Sequence, residues 1–286
     1  MPTITADDGT ELAYHVHGDG EPLLCVPGGP LRAAEYLGDL GGLSAHRRLI
    51  LLDLRGTGDS AVPADWKAYG WQTLVEDIET LRASLGLETA DILAHSAAGD
   101  LGISYAARYP RRVRSLVLVT PSPRALGIPA TLEQRLAAAA LRAGEPWHAA
   151  AERALRSIFA GTETDDDWAA FQPLNYGRWD DAARAHAAAG VRQRNQDAAE
   201  AYFESTATLD PDATRTAVAE LAAPVLVLAG ELDGGPRPEV AEQVAAAFPD
   251  ARVAVQPGAG HFPWLDDPGF FTGTVEGFLS RQPTGS

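Results

Sequence analysis

Ser96 stands in a setting that suits a catalytic nucleophile. It follows the apolar run ADILA and lies within AHSAAG at 94–99. A serine on a tight turn between a strand and a helix is held with its hydroxyl exposed. The residues two before and two after it must be small, because the two backbones nearly touch there. Alanine fills both small positions. An ordinary helix N-cap serine is the alternative interpretation of the same segment.

The other two groups of a nucleophilic triad come later in the chain. Asp233 follows PVLVLAG in the segment GELDGG, and His261 follows ARVAVQ in GAGHFPW. Both are expected on loops at the carboxyl ends of strands, and the order nucleophile, acid, histidine is one that such triads use. We therefore predict Ser96 as nucleophile, His261 as base and Asp233 as the acid that orients the base.

Two nearby residues compete for these roles. Glu231 precedes Asp233 by two positions and is expected nearer the strand end, where it is less free to reach the histidine. His95 adjoins Ser96 but is expected to point the wrong way on the turn.

Acyl transfer also needs hydrogen-bond donors for the oxyanion that develops on the substrate. The backbone N–H of Ala97, directly after the nucleophile, is one such donor. The segment PGGP at 27–30 can supply the second, because Gly29 brings its N–H close without a side chain. The alternative interpretation is that these glycines only form a turn.

Metal and thiol chemistry find little support in the sequence. His15 and His17 alternate on one strand and share a face, but we find no further ligands for a metal, so we interpret them as exposed strand residues. Cys25 is the single cysteine and lies in an apolar run, which favours a buried core position. We expect neither a metal nor an organic cofactor.

The elements that position these groups alternate between apolar strands and helices. That alternation predicts an α/β fold, with a mostly parallel sheet flanked by helices on both faces. Ligands bind at the carboxyl ends of such strands, where each candidate loop lies. Residues 3–16 alternate around a turn and predict a hairpin. Leu74, Val75, Ile78, Leu81 and Leu85 share one face of a helix.

One region lacks any strand-like run. Residues 122–222 are Ala-rich and helical in pattern, with aromatic anchors at helical spacing. We predict a helical cap over the strand ends at 122–222, inserted into an α/β core made of 1–121 and 223–286.

Composition restricts the partners of this 286-residue chain. Its formal net charge of −16, with no run of basic residues, argues against binding nucleic acid. The N-terminal segment has neither a basic stretch nor an apolar one, and no apolar run approaches the roughly 20 residues of a membrane helix. We expect a cytoplasmic protein that acts on a small molecule.

Several motifs together resemble the α/β-hydrolase superfamily, and within it proline iminopeptidases. These are PGGP at 27–30, DLRGTGDS at 53–60, the serine turn, GELD at 230–233 and GAGH at 258–261. The family carries HGGPG, DQRGxGxS and Gly-x-Ser-x-Gly motifs and a helical cap. The resemblance implies Ser96, Asp233 and His261 as triad, with Gly29 and Ala97 as oxyanion donors. It covers essentially the whole chain outside the cap.

The chain departs from the family pattern at several places. Pro27 replaces the histidine of HGGP, Leu31 replaces the glycine that follows, and alanines replace the two glycines around the serine. Asp100 adds a charge one helical turn beyond the nucleophile, without an assigned role. Asp53 and Arg55 are expected to form a structural ion pair that ties loops together beneath the site.

The predicted function is therefore acyl transfer to water by a cofactor-independent serine hydrolase with proline iminopeptidase-like features. For that activity, Glu200 and Glu204 lie four apart on one helix face and would bind a substrate ammonium, while Tyr202 packs on the pyrrolidine ring. The alternative interpretation is a solvated helix face with aromatic core anchors. Two other functions remain open: an esterase or thioesterase for a hydrophobic metabolite, and a catalytically silent small-molecule binder.

Overall fold

A single eight-stranded sheet forms the centre of the protein. The computed structural model describes residues 1–281. The strand order is β1-β2-β4-β3-β5-β6-β7-β8, in which β1, β2 and β4 pair antiparallel and all other neighbours pair parallel. The strands are β1 (Thr3–Thr5), β2 (Glu11–His17), β3 (Pro22–Val26), β4 (Arg48–Leu52), β5 (Ala90–His95), β6 (Val113–Val119), β7 (Val225–Gly230) and β8 (Ala251–Gln256). The predicted hairpin is β1–β2, and the predicted fold class is confirmed.

Helices cover both faces of this sheet. Successive strand residues alternate between two hydrophobic cores, with Leu24 and Val26 of β3 in one and Leu23 and Cys25 in the other. Burial on both faces explains why the parallel strands read as continuous apolar runs. The helices are α1 (Trp71–Ser84), α2 (Ala98–Arg108), α3 (Leu132–Ala140), α4 (His148–Ala160), α5 (Asp165–Phe171), α6 (Asp181–Gln193), α7 (Gln196–Ser205), α8 (Pro211–Val218), α9 (Pro238–Ala245), α10 (Pro263–Asp266) and α11 (Pro268–Leu279).

The region between β6 and β7 contains the helices α3 to α8 and no strand of the sheet. Five of these six helices begin at a side chain that accepts a hydrogen bond from the first turn, which satisfies an N–H that has no partner within the helix. The exact limits of the cap, 122–222, stay a prediction. The capping residues are Thr131, Thr164, Asp180, Asn195 and Asp210.

One strand differs from its sequence-based expectation. ARVAVQ is an apolar run like the central parallel strands, but β8 lies at the edge of the sheet, and within residues 1–281 it pairs with β7 alone. Val253 and Val255 are 37% and 38% exposed. An apolar run therefore did not distinguish an edge strand from a central one. Within residues 1–281, no helix is both long and apolar enough to cross a membrane.

Candidate active site

Ser96 occupies a sharp turn between β5 and α2. Its φ is +57°, in the left-handed region that a non-glycine residue rarely adopts, and its N–H donates to the carbonyl of Val119 at 3.0 Å. Strained backbone conformations of this kind cluster at active sites. The turn projects the side chain beyond the end of the sheet.

Close packing around this turn explains the small residues that flank Ser96. A Cβ added to Gly28 would lie 2.8 Å from the Cβ of Ser96 and 2.5 Å from the carbonyl oxygen of His95. A Cβ on Gly102 of α2 would lie 3.0 Å from that of Ala94. The Cβ of Ala94 therefore already packs closely against α2, which favours a small residue at position 94.

The three residues predicted as a triad form one hydrogen-bonded line. The Nε2 atom of His261 lies 2.7 Å from the Oγ of Ser96, and its Nδ1 atom lies 2.8 Å from Asp233 Oδ2. The Asp233 side chain is fully buried and its other oxygen accepts the N–H of Gly235 at 2.8 Å. Because a carboxylate only accepts, Nδ1 carries the proton and Nε2 faces the serine hydroxyl as an acceptor.

Glu231, the competing acid, lies elsewhere. Its carboxylate accepts the N–H of Gly258 at 2.8 Å and does not contact the histidine. The structure thus brings Asp233, and not Glu231, to His261.

Two backbone amides near Ser96 are available as donors. Neither the N–H of Ala97 nor that of Gly29 has a hydrogen-bond acceptor within the described part of the chain. Gly28, by contrast, donates to the hydroxyl of Tyr36 at 2.7 Å. Gly29 has a φ of +124°, a conformation that suits glycine and turns the amide without a side chain in the way. Ala97 and Gly29 are the two amides that the sequence predicted for the oxyanion.

His95 connects the loops beneath the site. Its Nε2 donates to the carbonyl of His261 at 2.8 Å, so its Nδ1 must accept the hydroxyl of Tyr36 at 2.6 Å. Burial lowers the pKa of His95 well below its usual value, which keeps the ring neutral. The histidine points away from the serine, as expected. The sequence missed Tyr36, because a tyrosine in an irregular segment offers no motif.

The cap also contacts the loop of the predicted base. The N–H of His261 donates to the carbonyl of Asn175 at 2.7 Å. The buried Arg142, at the end of α3, donates to the carbonyls of Leu174 and Leu232 at 3.0 and 2.7 Å. The sequence analysis did not single out Arg142, because an arginine in an Ala-rich segment matches no motif.

Asp100 is buried beneath the nucleophile turn. Its Oδ1 accepts the N–H of Ala125 at 2.9 Å, and its Oδ2 lies 3.3 Å from the hydroxyl of Tyr202. Burial raises the pKa of this carboxyl to about 7, although these hydrogen bonds act in the opposite direction. Asp100 therefore contacts the cap and not the reacting groups.

The structure does not bring the predicted cap residues to the serine. Tyr202 is only 1% exposed, donates to the carbonyl of Ala97 at 2.9 Å and stacks on Trp71. It has no free ring face for a substrate, which corrects its predicted role. Residues two positions away on a helix lie about 200° around the axis, so Glu200 and Glu204 point to the opposite side and are exposed. The helical period alone would have shown this conflict.

The predicted pair of Asp53 and Arg55 does not form. Arg55 instead donates to Asp77 of α1 and to Asp8 in the first hairpin, both buried or half-buried contacts. Asp53 is buried and lies 2.8 Å from His15 Nε2. Side chains two residues apart on this loop point in different directions, so each finds its own partner.

Asp59 also approaches His15, at 3.8 Å, so two carboxylates lie beside a histidine for which the sequence revealed no partner. The possible ligand atoms of His15, Asp53 and Asp59 lie within 4.8 Å of one another.

The profile of a family described as alpha/beta hydrolase fold matches residues 21–268. The cis-3-alkyl-4-alkyloxetan-2-one decarboxylase of Shewanella oneidensis is 33% identical over 39% of this chain, but the alignment spans only 36% of that protein. The 2-hydroxymuconate semialdehyde hydrolase of Pseudomonas putida is 28% identical over 96% of this chain and 92% of its own length. The solved structure of proline iminopeptidase from Mycobacterium smegmatis is similar, with a TM-score of 0.72, 26% identity and 98% of each chain covered.

Proposed function

This chain belongs to the α/β-hydrolase fold family, and from that premise we propose that it is a serine hydrolase that transfers an acyl group to water. Relatives named as a 2-hydroxymuconate semialdehyde hydrolase and a proline iminopeptidase support an enzyme of this general kind. The observation that carries the finer proposal is the continuous line from Ser96 through His261 to Asp233, with contacts of 2.7 and 2.8 Å.

The first half of the reaction forms an acyl-enzyme. His261 Nε2 takes the proton of Ser96 as the oxygen attacks the substrate carbonyl, and Asp233 stabilises the resulting imidazolium. The amides of Ala97 and Gly29 donate to the oxyanion of the tetrahedral intermediate. As the intermediate collapses, the bond to the leaving group breaks, and the imidazolium gives that group its proton.

The second half returns the enzyme to its starting state. A water molecule loses a proton to His261 and attacks the acyl carbon, and the same amides hold the oxyanion. The bond to Ser96 then breaks, the serine recovers its proton from the imidazolium, and the carboxylic acid leaves. Every proton in this scheme moves through residues of this chain.

Among acyl substrates, the positions of the cap residues favour esters over peptides with a free amino terminus. An ammonium group needs a carboxylate close to the scissile bond, and Glu200 and Glu204 face away from the buried side of α7. A silent binding protein is the less favoured function, because binding alone does not require an aligned histidine and buried aspartate. Within the serine hydrolase proposal, we therefore propose esters as the substrates.

Turnover by a serine variant tests the proposal. Ser96→Ala should fold normally and lose nearly all hydrolysis of p-nitrophenyl esters, because alanine fits the turn and only the hydroxyl is removed. The matched control is Ser84→Ala on α1, where the hydroxyl donates to the carbonyl of Leu81 within the helix. A Ser96→Ala protein that keeps more than about a hundredth of the wild-type rate would place the chemistry elsewhere. Proline 4-nitroanilide in the same assays tests the aminopeptidase alternative.

A further inference from the structure

Cap arginines contact two of the loops that hold the proposed catalytic groups. Nη2 of Arg194 donates to the carbonyl of Gly29 at 2.8 Å, beside the proposed oxyanion donor. Nη1 of Arg135, on α3, donates to the carbonyl of Gly234 at 3.0 Å, next to Asp233. Cationic side chains therefore flank the site on both its oxyanion side and its acid side.

A third arginine lies beside the nucleophile turn. Arg124 donates to the hydroxyl of Ser122 at 2.9 Å, and the N–H of Ser122 donates to the carbonyl of Ser96 at 2.8 Å. The carboxylate nearest to Arg124 is that of Asp100, at 3.9 Å. The raised pKa of Asp100, about 7, leaves this carboxyl only partly charged near neutral pH.

The first two arginines have no acidic partner. Within residues 1–281, no carboxylate oxygen lies within 4.0 Å of Arg135 or Arg194, although the chain has 39 acidic residues and 23 basic ones. By contrast, Arg114 pairs with Asp91 at 2.6 Å, and Arg55 lies between Asp8 and Asp77. Each guanidinium has five N–H donors, and the described residues accept one from each of these two. Four donors therefore remain on each side chain.

These side chains differ from ordinary surface arginines. Burial lowers the pKa of both Arg135 and Arg194. The guanidinium of Arg135 also packs directly over Gly235, where an added Cβ would collide with it. Yet Arg194 is exposed and Arg135 is half-buried. Both guanidinium groups are therefore partly accessible beside the loops of Gly29 and Asp233. A cation in such a place is poorly solvated and strongly favours an anion.

We propose that this site takes acyl substrates that carry a carboxylate, which Arg194 binds while Ser96 attacks the ester carbonyl and Arg135 adds positive charge on the acid side. This inference rests on the proposed serine hydrolase function and names its substrate class. A planar guanidinium matches a carboxylate with two parallel hydrogen bonds, so it orients the substrate as well as attracting it. The exposed Glu200 and Glu204 are on the far face of α7 and do not oppose this charge.

Two esters of equal length test the substrate class. Mono-p-nitrophenyl adipate and p-nitrophenyl hexanoate share a six-carbon acyl chain and a leaving group, and differ only in the terminal carboxylate. Wild-type kcat/KM should favour the adipate by about tenfold or more, since a hydrogen bond to a charged group contributes roughly that factor. Added salt should reduce this preference, because it screens charges in an accessible site.

Arginine variants assign the preference to its residues. Arg194→Gln should lower the adipate-to-hexanoate ratio about tenfold, mainly through a higher KM for the adipate. Arg135→Gln should lower the ratio by less, because it removes only a more distant charge. Arg194→Lys should keep part of the ratio, because it retains the charge but not the paired donors. The control is Arg156→Gln on α4, an exposed arginine paired with Glu152, which should leave the ratio unchanged.

The results separate the two proposals. Equal or faster hydrolysis of the hexanoate by the wild type, with no effect of salt on the ratio, would overturn the substrate class and leave the serine hydrolase intact. Loss of the ratio in Arg156→Gln as well as in Arg194→Gln would also contradict the assignment. If neither ester is hydrolysed and Ser96 does not react with a fluorophosphonate, the proposed function itself fails. The wild-type ratio decides the matter even if a variant misfolds.

Discussion

At the residue scale, hydrogen bonding distinguishes two acids that the sequence placed two positions apart. Asp233 is fully buried and contacts His261, whereas Glu231 binds a backbone amide of the neighbouring loop. Burying a carboxylate without a partner costs free energy. The contacts of Asp233 with His261 and with the amide of Gly235 offset that cost.

Substitution of each acid therefore has a different expected effect. Asp233→Asn should lower kcat by about 10⁴-fold, because the amide no longer holds the histidine tautomer or stabilises the imidazolium. Glu231→Gln, the matched control, should change kcat by less than about tenfold, because its amide oxygen can still accept the N–H of Gly258. Steady-state ester hydrolysis measures both. The reverse order of effects would show that the acid is misassigned.

Gly28 packs directly against the nucleophile turn. A Cβ added to Gly28 would lie 2.8 Å from that of Ser96, so Gly28→Ala should displace the nucleophile turn. A displacement of about 1 Å should lower the rate of ester hydrolysis by at least about a hundredfold. Gly273→Ala on α11 meets no atom within 4 Å and should keep full activity, with stability unchanged or raised by up to about 1 kcal/mol. An active Gly28→Ala protein would contradict the close packing described.

At the scale of elements, helix α7 joins the cap to the nucleophile turn. Tyr202 reaches from α7 to the carbonyl of Ala97 and to Asp100 on α2, and its ring stacks on Trp71 at 5.0 Å. The indole of Trp71 in turn donates to the carbonyl of Tyr202 at 3.1 Å. Three segments distant in sequence are thus fixed to one another by one side chain.

Removal of a single hydroxyl tests this connection. Tyr202→Phe keeps the ring stack but removes the donor to the Ala97 carbonyl and the polar neighbour of the buried Asp100, so the free energy of unfolding should fall by about 1–3 kcal/mol. Urea unfolding followed by tryptophan fluorescence measures the change. Glu204→Gln, on the exposed face of the same helix, should stay within about 0.5 kcal/mol of wild type. An equal effect of the two changes would remove the proposed link.

Element patterns made the sheet predictable and the cap only partly so. Apolar runs ending in glycine correctly located the central strands, because a parallel strand buried on both faces has few other compositions. The loops at their ends therefore placed Ser96, Asp233 and His261 near one another. The cap contacts of Tyr202, Arg135 and Arg194 depend on how helices pack across a hundred residues, and local periodicity carries no information on that packing.

At the scale of the whole molecule, stability should depend on pH through Asp100. Its pKa is raised from 3.8 to about 7 by burial, so the folded protein holds a proton that the unfolded chain releases above about pH 4. The unfolded state then binds fewer protons, and the free energy of unfolding falls as pH rises from about 4 to 7. Above pH 7 this contribution is constant.

An uncharged replacement isolates that contribution. Asp100→Asn keeps an oxygen for the N–H of Ala125 and carries no titratable group, so its stability should fall less than that of wild type between pH 5 and 7. Urea unfolding at several pH values measures both proteins, and the difference between them should reach on the order of 2 kcal/mol. Parallel pH profiles would contradict the raised pKa.

Covalent labelling tests the central claim most directly. A fluorophosphonate reacts with a serine that a histidine activates, and intact-mass analysis with peptide mapping counts and locates the adduct. We predict one adduct per chain, on Ser96, together with complete loss of ester hydrolysis, and no adduct in Ser96→Ala. An adduct on another residue would contradict the assignment of Ser96 as the nucleophile. So would full ester hydrolysis by a protein that carries the adduct on Ser96.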